Sequence, residues 1–220
     1  MSSQLNTLGQ PNTDQPNTMN QTWHFAPAPP ARRPFRHFQV AQVLDEQLAD
    51  RLLEWLETTP NFIPRNQEFY RSSAFHVSPT AAPAALETFF SVPNFQALRG
   101  IMSESFGVPL ADRIFLSANR YVPGQGTLIH TDYEPDGRRT EFSFTHRFLL
   151  YLNRGWAAAD GGALGLFDGP EPTDLVTTVA PTHNRGVALE IGPTSYHAVA
   201  AVQSGQRYSL NFTFATRERP

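Results

Sequence analysis

From Asp112 onward the chain breaks into about eight short β-rich runs, and this feature constrains the fold more than any other. The runs are RIFLSANRYV, TLIHTDY, FSFTHRFLLYLN, ALGLF, LVTTVAP, GVALEIG, YHAVAAV and RYSLNFTFA, with Gly, Pro and Asn between them. Short strands separated by turn signals at this spacing specify a β-sandwich or barrel, the jelly roll among them. One turn is long: Trp156 to Gly162 ends in a Gly161–Gly162 pair, which admits backbone angles closed to other residues.

What precedes the strands reads as helical support. After a short strand at Phe35–Val40, Asp45 can cap a helix whose Leu44, Leu48, Leu52 and Leu56 recur every four residues, with Pro60 beyond its end. A second helix is expected from Asn94, as cap, through Phe95, Leu98, Ile101, Met102 and Phe106 to Gly107. The Ala/Pro-rich stretch Thr80–Ser91 is a weaker third. With helices first and strands later, the helices buttress one sheet. Residues 1–33 are rich in Gln, Asn, Thr and Pro, contain QPNT twice and end in APAPPARRP, which reads as a disordered tail. The expected layout is therefore a tail at 1–33 and a single domain at 34–220. That domain has helical support at 34–111 and a β core at 112–216.

Composition narrows the chemistry. With no Cys, disulfides and thiolate ligands are excluded, and any metal must rest on His, Asp or Glu. There is no Lys either, so all 17 basic residues are Arg and no lysine amine is available as a nucleophile. Arg-for-Lys usage with abundant Ala and Pro suggests a bacterial source. A net charge of -3 offers no basic footprint for nucleic acid. No apolar run is long enough to span a bilayer, and the polar start resembles no secretory signal, so a cytoplasmic location is expected.

His130-Thr131-Asp132 stands out within TLIHTDY. In a strand, residues i and i+2 share a face, so the imidazole and carboxylate aim at one spot. The doublet alone fits a hydrogen-bonded His–Asp pair equally well. His197, 65 residues after Asp132 at the start of a later run, alters that balance. Two His and one carboxylate form the facial triad suited to non-haem iron(II), with positions left open for oxygen. Ten residues further, Arg207 begins RYSLNF, and alternation sets Arg207, Ser209 and Asn211 on one face. The guanidinium fork fits a carboxylate, and a neighbouring hydroxyl adds a donor. His76 and His146 are read as ordinary histidines, and His183 as an exposed hairpin tip.

Four segments in order, NRYVPGQGTLIHTD, RFLLYLNRGWAAADGGALGLF, GVALEIGPTSYHAV and GQRYSLNFTF, resemble the prolyl-4-hydroxylase-like branch of the iron(II)/2-oxoglutarate oxygenase superfamily. The resemblance runs from Asn119 to Phe214. It implies a mainly β fold with supporting N-terminal helices, a double-stranded β-helix (jelly roll) with the metal near one end. It implies Fe(II), 2-oxoglutarate as co-substrate and O2, with ascorbate as an accessory reductant. Carried onto this chain, it makes His130, Asp132 and His197 the metal ligands. Arg207 would hold the distal carboxylate of 2-oxoglutarate, with Ser209 and Tyr121 assisting. Thr127 replaces an aromatic residue that the family often carries three positions before the first His. Tyr151 of the YLN segment is read as packing, and Asn119 as a neighbour of the pocket.

The activity this implies is hydroxylation of an unactivated C–H bond in proline, a prolyl residue or another amino-acid-like substrate, small or peptidyl. Halogenation is disfavoured because Asp132 fills the position a halide would need. For substrate, the loop Tyr133–Thr145 contributes Arg138 and Arg139 as carboxylate receptors, with Arg71 and Arg147 nearby, and Tyr133 and Phe142 as flanking rings. Two other readings are a non-enzymatic metal-binding β-sandwich module and a zinc hydrolase. The second lacks a helical His-Glu-x-x-His pattern, and both leave Arg207 without a role.

Overall fold

The computed structural model describes residues 22–66, 69–78, 82–134 and 144–216. Two antiparallel sheets face each other, and two helices cover the outer face of the larger. The large sheet has the order β1-β9-β6-β11-β4-β3-β2, with β5 beside β3, and the small one the order β10-β7-β8. Their strands are β1 His37–Val40, β2 Ile63–Asn66, β3 Tyr70–His76, β4 Leu110–Tyr121, β5 Gly126–Thr127, β6 His146–Tyr151, β7 Leu164–Phe167, β8 Leu175–Val179, β9 Arg185–Glu190, β10 Tyr196–Val199 and β11 Arg207–Thr216. Most of those after Asp112 fall on the predicted runs, and the arrangement is the expected double-stranded β-helix. However, β2 and β3 lie where only helical support was expected, and of the run TLIHTDY only Thr127 belongs to a strand.

Strand alternation divides the interior in two. On β11, Tyr208, Leu210, Phe212 and Phe214 join Phe148 and Leu150 of β6 in a core shared with the helices. Leu149 and Tyr151 of β6 instead meet Tyr121, Leu164, Leu189 and Val199 between the sheets. The first core holds the molecule together; the second surrounds the site.

Helix α1 spans Glu46–Thr58 with Asp45 as its cap, accepting from the Gln47 amide as expected. Helix α2 spans Val92–Phe106 and closes on Gly107 at φ 64°. Its cap is Ser91, not Asn94. Asn94 lies one turn inside, where its side chain donates to the Phe89 carbonyl at 2.7 Å. In the Ala/Pro-rich stretch, one 3-10 turn at Ala84–Leu86 stands where a helix was expected.

The predicted tail is too long. Residues 1–21 lie outside the described residues, but Trp23 is 1% exposed. It packs edge-on against Phe148 and Phe212 and donates from Nε1 to the Asn94 carbonyl at 2.9 Å. Phe25 stacks on Phe148 with centroids 5.4 Å apart. The Ala28 amide is bound by Ser105 Oγ. Two aromatic rings outweigh the Pro-rich composition around them, because each buries large apolar area at little conformational cost. The ordered domain thus includes residues 22–33. His183 departs from expectation too: its side chain is 8% exposed and meets Asp50 at 3.1 Å. Asn184, at φ 58°, turns the chain inward and grips the Leu44 backbone at both N–H and C=O.

Candidate metal and co-substrate site

The three predicted ligands converge between the sheets. His197 sits on β10, and His130 pairs with it through two backbone bonds of 3.0 and 2.9 Å, forming an isolated bridge outside the regular strands. Asp132 follows in irregular backbone, so its approach comes from this single bridge rather than from a continuous strand. Each imidazole is oriented the same way. Nδ1 of His130 lies 2.8 Å from the Leu128 carbonyl, and Nδ1 of His197 lies 2.9 Å from that of Ser195. A carbonyl only accepts, so each Nδ1 donates to it, and Nε2 is the ring nitrogen turned toward Asp132 and available to a metal.

The Nε2 atoms stand 3.8 and 3.3 Å from the Asp132 carboxylate, and one ligand atom from each residue falls within a 4.8 Å cluster. Burial alone would raise the Asp132 pKa, but the Arg147 guanidinium and the two imidazoles hold it well below the usual carboxylate range. Burial and the neighbouring His197 lower that of His130, favouring the neutral ligand form. Two imidazoles and one carboxylate are a donor set that fits iron(II).

Beneath the triad is an inner chamber lined by Tyr121, Leu149, Tyr151, Leu164, Arg207 and Ser209. Arg207 is 2% exposed. Its guanidinium lies over the rings of Tyr121 and Tyr151, at 5.1 and 4.8 Å from their centroids, and Nε donates to the Gly162 carbonyl at 2.8 Å. Gly162 has φ 65°, and a Cβ there would come within 2.8 Å of Arg207 Cδ. The Gly161–Gly162 turn therefore seats the arginine. The Tyr151 hydroxyl is buried with no hydrogen-bond partner, as expected of a donor awaiting a ligand. A buried cation beside an unsatisfied hydroxyl, within reach of the triad, fits an anionic metal-chelating co-substrate.

The sequence profile of the 2OG-Fe(II) oxygenase superfamily matches residues 116–215, a stretch that contains the triad and Arg207. Over that stretch the chain resembles the superfamily.

Members use Fe(II), 2-oxoglutarate and O2. Among curated proteins, the chain is similar to prolyl 3-hydroxylase OGFOD1 of Mus musculus, 33% identical over 132 residues, covering 55% of this chain and 23% of that protein. The Xenopus laevis protein of the same name is 28% identical over 182 residues, covering 80% of this chain and 33% of its own. The chain thus spans no more than about a third of these relatives. In fold it resembles a Pseudomonas putida prolyl-4-hydroxylase (TM-score 0.68, 23% identity, covering 83% of this chain and 93% of that one). It also resembles a Trichoplax adhaerens prolyl hydroxylase solved with a hypoxia inducible factor peptide (TM-score 0.64, 14% identity, covering 81% and 82%).

Around this site, the remaining expected residues divide. Tyr121 and Ser209 line the inner chamber, with Ser209 Oγ bonded to Asn211 Oδ1. Asn119 lines an outer groove that opens from the triad past Phe69, His76, Phe115 and Phe144. His146 is not part of the triad cluster; it is buried against Phe106. Tyr133 packs beside the inter-sheet core. Arg138, Arg139 and Phe142 lie outside the described residues. Thr127, which lacks the aromatic ring common in the family, uses its hydroxyl to accept from the Val199 amide at 2.8 Å. Sequence reasoning missed two things. Tyr151 presents its hydroxyl to the chamber rather than merely packing. Arg147, expected near the substrate loop, is ion-paired with Asp132.

Proposed function

We propose that this chain is a 2-oxoglutarate-dependent dioxygenase that hydroxylates an unactivated C–H bond, with proline, a prolyl residue or another amino-acid-like group as substrate. One observation carries this reading: a His-Asp-His donor set at an inner chamber that holds a buried arginine. A purely structural metal site has no use for that arginine, which speaks against a non-enzymatic module. In the proposed roles His130, Asp132 and His197 hold the iron. Arg207 anchors the distal carboxylate of 2-oxoglutarate, with Ser209, Tyr121 and Tyr151 lining its binding chamber. When bound, iron, 2-oxoglutarate and O2 supply the oxidising power for C–H hydroxylation. The protein's part is to orient three ligands, exclude water with the apolar wall of Leu149, Leu164 and Val199, and admit substrate from the outer groove.

The relatives named for prolyl hydroxylation support the choice of substrate, and Arg138 and Arg139 are proposed to receive a free carboxylate. A cytoplasmic bacterial enzyme is the setting that the Cys-free, Lys-free composition favours. No nucleic-acid or membrane partner is proposed; among the described residues, no helix is long and apolar enough to cross a membrane. The test is succinate release, measured by mass spectrometry, against free amino acids, prolyl peptides and cell extract. Stimulation by proline or a prolyl peptide supports the reading, and replacing Arg138 and Arg139 by Ala should impair a free acid far more than a peptide. If none of these raises succinate above the uncoupled rate, the substrate assignment fails.

A further inference from the structure

Two arginines bracket the proposed metal position. Arg207 lies deep in the chamber, whereas Arg147 stands at the rim, lining both the inner chamber and the outer groove. Strand register puts it there. On β6, Arg147 shares the inward face with Leu149 and Tyr151, and it sits directly opposite Thr213 of β11. Its side chain is 22% exposed and is held at two points. Nε donates to Thr213 Oγ1 at 3.3 Å, and Nη1 closes an ion pair on Oδ2 of Asp132. Asp132 itself sits in irregular backbone after the His130 bridge, so no ladder bond fixes its carboxylate.

A carboxylate with both oxygens free can take one or two coordination positions on a divalent ion, and an oxygenase needs positions left open. We propose that Arg147 is a positioning residue of this metal centre: by occupying one Asp132 oxygen it leaves a single oxygen for the ion and fixes the carboxylate plane. The guanidinium is suited to this because it remains charged at any working pH and its fork is rigid, whereas an ammonium would wander. Thr213 braces the fork from the neighbouring strand. Arg147 also withdraws charge from Asp132, so the ligand donates more weakly to iron. This inference rests on the oxygenase reading above.

The opposite account is that Arg147 merely neutralises Asp132 and must be displaced when metal arrives. The two accounts predict opposite signs. Anaerobic titration of the full chain with Fe(II), and with redox-inert Mn(II), is compared for wild type, Arg147→Gln and Arg147→Lys. A clamp predicts metal binding weakened about ten- to a hundredfold in Arg147→Gln, the usual scale for losing a group that orients a ligand. Arg147→Lys should recover part of it. With 2-oxoglutarate added, the visible absorption band of the ferrous complex should move to longer wavelength in Arg147→Gln, because an unclamped Asp132 donates more charge to iron. A general loss of packing would not cause that shift. Thr213→Val, which leaves Asp132 its ion pair, should weaken metal binding in the same direction but less, and it stands in if Arg147→Gln does not fold. Unchanged or tighter metal binding in a folded Arg147→Gln overturns the assignment, as does unchanged binding in Thr213→Val where that variant stands in. If wild type itself binds no Fe(II), it is the oxygenase reading that falls.

Discussion

Replacing Arg207 by Lys tests its proposed role as co-substrate anchor separately from metal binding. Arg207 has one guanidinium N–H committed to the Gly162 carbonyl, and its plane lies over the Tyr121 and Tyr151 rings. Lysine keeps the charge but loses the fork and that backbone anchor, so its ammonium has no fixed position in the chamber. The variant should lose one charge-assisted hydrogen bond to the distal carboxylate, about 1.5–3 kcal/mol. That corresponds to about a ten- to hundredfold rise in the apparent constant for 2-oxoglutarate. The assay is anaerobic titration with 2-oxoglutarate of the Fe(II)-loaded protein, followed by its absorption band and paired with succinate release at varied co-substrate. Affinity for Fe(II) without 2-oxoglutarate should be unchanged, since Arg207 makes no contact with the triad. Unchanged 2-oxoglutarate dependence in Arg207→Lys would refute the anchor, and a parallel loss of metal affinity would show that it acts through the ligands instead.

Gly162→Ala should raise the same constant without touching the guanidinium, because its Cβ would crowd Arg207 Cδ at 2.8 Å and its φ of 65° is strained for Ala; wild-type 2-oxoglutarate affinity would count against this seat. His130→Ala, Asp132→Ala and His197→Ala should each abolish turnover with the fold retained, read by circular dichroism and Fe(II) titration, since the cores are built from other residues. Trp23→Ala should cost about 3–5 kcal/mol in denaturant unfolding; deletion of residues 1–33 should destabilise comparably, and a variant as stable as wild type would show that this aromatic contact is dispensable. Burial, and secondarily Arg36, lowers the His146 pKa to about 4. The unfolded chain therefore binds a proton first, and stability should fall as pH drops from about 6.5 toward 4, by up to about 3 kcal/mol in total. His146→Gln should flatten that slope, measured by unfolding at several pH values.

The residues that the structure brings together were legible because their signals are local. His130 and Asp132 share a two-residue spacing, Arg207 starts a run that alternates through Ser209 and Asn211, and Asp45 and Gly107 bound their helices by capping chemistry confined to one turn. The order of four short segments then implied the fold that brings His197 to His130. Composition misled where it averaged. Trp23 and Phe25 are two residues in a polar, Pro-rich stretch, yet a single buried ring decides whether that stretch packs.

What tertiary structure alone decided lies across strands. Arg147 meets Asp132 only because β6 pairs with β11 in the register that sets Arg147 opposite Thr213, 66 residues away. Tyr151 lines the inner chamber by the same register, and His183 is buried because Asn184 turns its loop onto Leu44 and the first turn of α1. A one-residue slip in that pairing would send Arg147 and Tyr151 to the opposite core, with nearly the same local sequence signals. The proposed ligands and anchor could be named from spacing along the chain, while their convergence and the groups that orient them follow from hydrogen bonds between distant segments.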